Sequence, residues 1–221
     1  MHIFEKYKFF LKIPYFTMLL FFICMAVFFI KINPELQYYN SADLWIKNSE
    51  FYRNYAFFPS ELFQKPWQII TSIFLHRDMD HLKYNMLYLI IFGYIVEYKL
   101  NLKTYLFLLM SIWLIPLISF TAYWIINEKP INYSGIGISG VVYGFMYISY
   151  YFMGNFVFNK TKFSKSNGFW SSFMFALFFS VLTFLIDFSV SNCGGGMVHF
   201  SGIAVSAFFC YHNYYKKEII V

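Results

Sequence analysis

Five stretches of this chain carry no Lys, Arg, Asp or Glu and are each long enough to cross a lipid bilayer: 13–30, 104–127, 130–159, 166–186 and 188–215. A helix needs about 20 apolar residues to span the hydrocarbon. A sixth segment, "YNMLYLIIFGYIV" at 84–96, reaches that length only with the polar residues that precede it. Backbone polar groups find no water in lipid, so such segments must be helices or closed barrels, and runs this long and continuous favour helices. Only 13% of the residues are charged, about half the usual fraction in soluble domains. A water-soluble globular fold is therefore excluded.

The expectation is an all-α polytopic membrane protein of one domain, 1–221. Its six helices are placed at 13–31, 79–98, 104–126, 139–155, 168–187 and 197–215, with a long outer loop over 32–76. No internal repeat divides it. The run at 13–30 is too long for a signal-peptide core and lacks a small-residue cleavage site, so it reads as a retained span. Within the loop, "ELFQKPWQIITSIFLH" (61–76) is too short and mixed to span. It is expected to lie in the outer interface, with Trp67 as an anchor. Cys24, Cys193 and Cys210 have no metal-binding spacing, and Cys24 and Cys210 lie within apolar runs as small hydrophobes.

Charge sets the orientation. The net charge of +6 is a matter of topology rather than of nucleic-acid binding, because Lys and Arg collect in cytoplasmic loops. With the N-terminus inside, ten bases fall on the cytoplasmic side, among them Lys6, Lys8, Lys12, Lys99, Lys103, Lys160 and Lys216, and seven outside. Glu35, Asp43, Glu50 and Glu61 offset the bases of the first loop. Both termini are then cytoplasmic.

Polar residues inside a membrane are costly, so each is a candidate for function. Ser139 lies 16 residues before Asn155 and His199 lies 17 before Lys216. At 1.5 Å per residue both sit about 24–25 Å above the inner face. Asn85, 14 residues before Lys99, sits at about 21 Å, with His81 one turn higher. A serine, two histidines and an asparagine from three helices share one level, and no carboxylate accompanies them. Small residues supply a way for the helices to meet. Gly140 and Gly144 form one stripe, and Gly202 and Ser206 form another on the helix of His199. Docking the stripes would bring Ser139 toward His199. Tyr143, one turn from Ser139, would lie against the imidazole. The stretch "YSGIGISGVVYGFM" (133–146) then reads as a loop that dips below the outer surface, with the fourth helix starting late at Ser139.

These residues resemble the rhomboid intramembrane serine proteases. "GISG" (Gly137–Gly140) is similar to the family's G-x-S-G, and "HFSG" (His199–Gly202) to its histidine followed by glycine. "HRDMDHLKYN" (His76–Asn85) resembles H-x-x-x-x-H-x-x-x-N, and "FGYIVE" (Phe92–Glu97) resembles the family's glycine-to-glutamate ending of the second helix. The resemblance implies a Ser139–His199 dyad, with Ser139 as nucleophile and His199 as general base. It places His81, Asn85 and the Ser139 backbone N–H in the oxyanion hole, Tyr143 against the base, and Gly137, Gly140 and Gly202 in support. It implies transmembrane protein substrates cut near the outer face of the bilayer, no metal and no organic cofactor. The expected location is the inner (cell) membrane of a bacterium. Gln68 and Ser206 depart from the family, which often has arginine and glycine there. Two other readings stay open: an inactive rhomboid-like protein that holds membrane clients, and a small transporter. A transporter would call for interrupted helices in both halves, and the sequence has one.

Overall fold

A computed structural model describes residues 13–159, 165–188 and 193–216, the side chains of 159, 165–167, 186–188, 193–194 and 214–216 excepted. Helix α1 (Tyr15–Val27) passes through a π turn at Phe28–Ile32 into α2 (Asn33–Tyr39). Helices α3 (Ala42–Asn48), α4 (Glu50–Tyr55) and α5 (Gln68–Thr71) follow in the long loop. Then come α6 (Met79–Tyr88), a π turn at Leu89–Gly93, α7 (Tyr94–Lys99) and the long helices α8 (Leu102–Ile126), α9 (Ser139–Asn159), α10 (Lys165–Phe188) and α11 (Cys193–Lys216). The sole β pairing among the described residues is an isolated antiparallel bridge between Phe57 and Gly135.

Among the described residues, four helices are long and apolar enough to cross a membrane: Tyr15–Tyr39, Leu102–Ile126, Ser139–Phe158 and Gly168–Leu185. Phe22, Phe107, Ile118, Phe178 and Phe208 are exposed on the outside of the bundle. Such a surface belongs in lipid, and the chain is an integral multi-pass membrane protein. The segments 79–98 and 197–215 are also helical. They carry the histidines, Asn85 and several glycines, which lower their hydropathy. The bases Lys6, Lys8, Lys12, Lys160, Lys162 and Lys217 of the charge argument lie outside the described residues.

The first helix runs past the expected end at residue 31 and continues to Tyr39. Pro34 lacks an N–H and its ring crowds the carbonyl four residues back. The π turn at Phe28–Ile32 opens the ladder there, so the helix continues. Glu35 on this extension accepts hydrogen bonds from Trp45 Nε1 at 2.7 Å and from Ser49 Oγ. The start of the 32–76 loop is thereby folded back as a helical hairpin rather than left irregular.

The N-terminus of α1 has no cap of its own, with Pro14 at the cap position. Glu97 supplies one from across the bundle. Its carboxylate accepts from Phe16 N–H (3.0 Å), Thr17 N–H (2.9 Å) and Thr17 Oγ (2.8 Å). A carboxylate at a helix N-terminus also meets the positive end of the helix dipole. Gly93 is what lets Thr17 in: a Cβ there would lie 2.9 Å from Thr17 Cγ2. The "FGYIVE" stretch therefore has a physical account: the glycine makes room and the glutamate, one turn on, makes the bonds. The second π turn weakens the ladder around Phe92, and Ser149 Oγ donates to the Phe92 carbonyl at 3.2 Å.

Helix α9 is the centre of the bundle. Its apolar window is 61% buried, against 22–28% for the other three spanning helices. Close approach explains this. A Cβ at Gly202 would lie 2.2 Å from the Gly140 carbonyl oxygen, so α11 and α9 touch backbone to backbone. One turn along, Gly144 sits 2.9 Å, measured from a built Cβ, from Ser206 Oγ and 3.0 Å from Ile112 Cγ2 of α8. Ser206 takes the place of a second glycine in this stripe, and its hydroxyl fills the notch over Gly144.

This contact yields a paired prediction. Gly202→Ala forces the two backbones apart and lowers stability by about 1–3 kcal/mol, read as the midpoint of denaturation in detergent. Ser206→Ala removes a buried hydroxyl that has no hydrogen-bond partner among the described residues, and leaves the midpoint unchanged or higher.

Candidate active site

Ser139 is the first residue of α9. The first helical hydrogen bond runs from Val142 N–H to the Ile138 carbonyl at 3.1 Å. The N–H groups of Ser139, Gly140 and Val141 therefore have no acceptor within the helix, and they gather on the side from which the loop arrives. The loop turns at Gly137, whose φ is +103°, a region that favours glycine. Its N–H is held by the Ser72 carbonyl at 2.9 Å.

The long loop over 32–76 pins this entry on its other side. Phe57 and Gly135 exchange two backbone bonds, at 3.0 and 2.9 Å. Tyr52 and Ser134 share a hydroxyl bond at 2.7 Å, and Ser60 Oγ donates to the Ile131 carbonyl at 2.8 Å. Gln68, at the position where the family often has arginine, is buried. Its Oε1 accepts from Phe58 N–H at 3.1 Å and its Nε2 donates to the Arg53 carbonyl at 3.2 Å. An amide with one donor end and one acceptor end thus joins two loop strands without burying a charge. Trp67 is half exposed and its Nε1 donates to the Asn54 carbonyl at 2.9 Å.

His199 enters from α11. Its Nε2 lies 2.8 Å from Ser139 Oγ, between residues 60 apart in sequence. Both side chains are buried. The Tyr143 ring stacks on the imidazole with centroids 4.3 Å apart and planes 12° from parallel. The position of Tyr143 one turn along α9 is what sets that stacking, since i and i+4 share a helix face. Gly140 and Gly202, either side of the backbone contact, fix the spacing from which these side chains reach each other.

His81 stands on the opposite wall, one turn above Asn85 on α6. Asp78 caps this helix by accepting from His81 N–H at 2.8 Å. A Cβ on Gly137 would lie 2.9 Å from His81 Cε1 and 3.0 Å from Nε2. The imidazole edge is therefore laid against the backbone two residues before Ser139, the second reason for glycine at 137. Arg77 N–H donates to His81 Nδ1 at 3.3 Å. A neutral imidazole that accepts at Nδ1 carries its hydrogen on Nε2, the atom that faces Gly137. Asn85 is buried and its Nδ2 donates to the His81 carbonyl at 3.0 Å. One amide hydrogen is spent locally and the second remains for another acceptor.

The arrangement brings together a hydroxyl, an imidazole within proton-transfer reach, a helix N-terminus and two polar side chains. Among the described residues no group of three His, Cys, Asp or Glu side chains is placed to hold a metal ion. The contribution of Arg77 was not legible beforehand, because it comes from a backbone N–H whose direction depends on the turn before α6. The role of Gln68 was legible only as a departure from a pattern, and its two-sided hydrogen bonding needs the loop's path.

The model of the Rhomboid domain matches residues 64–214, a span that holds every residue of the site and leaves out α1 and the start of the outer loop. No curated protein matches the chain. On that match, which covers more than half of its length, the chain belongs to the rhomboid family.

Proposed function

We propose that this protein is an intramembrane serine endopeptidase with a Ser139–His199 dyad. The observation that carries the reading is the 2.8 Å contact between Ser139 Oγ and His199 Nε2. A buried serine bonded to the ring nitrogen of a histidine from another helix is the arrangement that activates a hydroxyl for nucleophilic attack. A helix-capping serine needs no such partner, and a packing histidine needs no such serine. The inactive client-holding alternative has no feature that favours it over a working dyad.

In the proposed reaction, His199 Nε2 takes the proton from Ser139 Oγ as the oxygen bonds to a peptide carbonyl carbon of a transmembrane substrate. The carbonyl oxygen becomes an oxyanion. The backbone N–H of Ser139, His81 Nε2–H and the second amide hydrogen of Asn85 supply donors for it. Tyr143, stacked on the imidazole, holds the ring in plane. Collapse of the intermediate breaks the C–N bond, and His199 returns the proton to the leaving amine. Water then attacks the acyl-enzyme with His199 again as base, releasing the second product and restoring the serine. A substrate helix must unwind locally to offer its backbone, so small or helix-weakening residues are expected near the cut.

The same reading carries the remaining topology. Six spans with both termini in the cytoplasm place the site toward the outer face, where water can enter through the dip at 133–138. A bacterial cell membrane is the proposed location, and the bilayer and transmembrane proteins are the partners.

Ser139→Ala and His199→Ala should each abolish cleavage of a model transmembrane substrate while the proteins keep the wild-type melting temperature within a few degrees. Labelling of Ser139 by a fluorophosphonate in detergent should occur in the wild type and vanish in both variants. Turnover at the wild-type rate in either variant removes the dyad. Asn85→Ala should lower kcat by about 10- to 10³-fold with KM little changed, since a donor to the oxyanion acts only in the transition state. A lower melting temperature with unchanged kcat per labelled serine would instead assign Asn85 to packing. For orientation, a reporter fused at the C-terminus should read as cytoplasmic.

A further inference from the structure

His76, the first residue of the "HRDMDHLKYN" stretch, has no part in the chemistry above. It is fully buried, and neither ring nitrogen has a hydrogen-bond partner among the described residues. The Phe74 carbonyl lies near the ring without reaching hydrogen-bond geometry. Leaving a buried polar atom unsatisfied costs about 1–3 kcal/mol. An apolar side chain of similar volume would avoid that cost, so something other than stability accounts for an imidazole here.

The ring of His76 meets the ring of His81 edge to face, with centroids 5.1 Å apart and planes at 61°. His81 is therefore held on three sides. Asp78 fixes its backbone, Arg77 N–H fixes Nδ1 and the His76 ring blocks the space into which the imidazole would turn. The fourth side is Gly137. Both His76 and Arg77 belong to the short turn between Leu75 and the α6 cap, so one dipeptide supplies a ring wall and a backbone donor to the same side chain.

We propose that His76 is a positioning residue that holds His81 in the orientation and tautomer that present Nε2–H toward Gly137 and the start of α9. It touches no reacting atom and acts through His81. Its function rests on the protease reading above, in which His81 donates to the oxyanion. Burial, and next the neighbouring His81, push the His76 imidazole down to about 3. The ring is therefore neutral at physiological pH and sets no positive charge beside His81.

The test is His76→Leu, which keeps an apolar volume and removes the two unsatisfied nitrogens. The melting temperature should hold or rise, while kcat per fluorophosphonate-labelled serine falls about 10-fold with KM unchanged, a part of the 10²–10³ expected from losing a donor outright. In a His81→Ala background the same substitution should change kcat little, because the residue it positions is gone. A drop of equal size in both backgrounds, or a lowered melting temperature with unchanged kcat, overturns the proposal. Imidazole ¹⁵N spectra of the detergent-solubilised protein supply a readout that needs no turnover. His81 should appear as the Nε2–H tautomer in the wild type and as a mixture in His76→Leu. An unchanged His81 spectrum overturns the positioning role whether or not the protein cleaves anything. Failure of the wild type to label or cleave would count against the protease reading alone.

Discussion

The backbone contact between Gly202 and Gly140 governs the geometry of the site. A side chain at 202 would collide with the Gly140 carbonyl oxygen at 2.2 Å, so α9 and α11 touch backbone to backbone. Lipid provides no hydrophobic drive for one apolar helix to prefer another, and close packing of small residues has to supply it. His199 sits three residues before Gly202, and Ser139 immediately precedes Gly140. Their 2.8 Å contact is a direct consequence of where the two helices cross. A change of one methyl at the crossing moves the Ser139–His199 pair, although it touches neither of its members.

The second constraint is the control of irregular backbone where the loop meets the bundle. The loop before Ser139 carries backbone polar groups that need partners wherever water is scarce. The structure answers with bonds from the outer loop: Phe57 to Gly135, Tyr52 to Ser134, and Ser72 to Gly137. The long loop in turn is held by Gln68 and by Glu35 on the extended first helix. The helix N-terminus at Ser139 is thus presented by a chain of contacts that begins well outside the spans. At the other end, Glu97 closes the first helix onto the second. That bond lies away from the Ser139–His199 pair and fixes the frame on which His81 and Asn85 stand.

Much of this was legible in the chain. Uncharged runs announce membrane helices because a charge in hydrocarbon is expensive, and a single charged residue at each end marks where a run stops. An expected common depth for the polar residues followed from the constant rise of a helix. The glycine stripes could be paired because i and i+4 share a face. The first helix was expected to end at Lys31, yet it continues to Tyr39. Length rules based on charge do not register a π turn that accommodates Pro34, nor a glutamate whose partners lie in the next hairpin. The histidine at 76 was legible only as part of a spacing.

Sequence alone determined the class of fold and the helix faces that meet, because each follows from hydropathy and helical period, which are local properties. Tertiary structure decided which atoms meet. Whether Nε2 or Nδ1 of His81 carries the proton depends on the N–H of Arg77, and whether a buried His76 is a wall or a passenger depends on the ring 5.1 Å away. The sequence contains both residues. The directions of a backbone N–H and of a ring plane are set by the path of the turn between them, and that path is fixed only when the whole bundle closes around it.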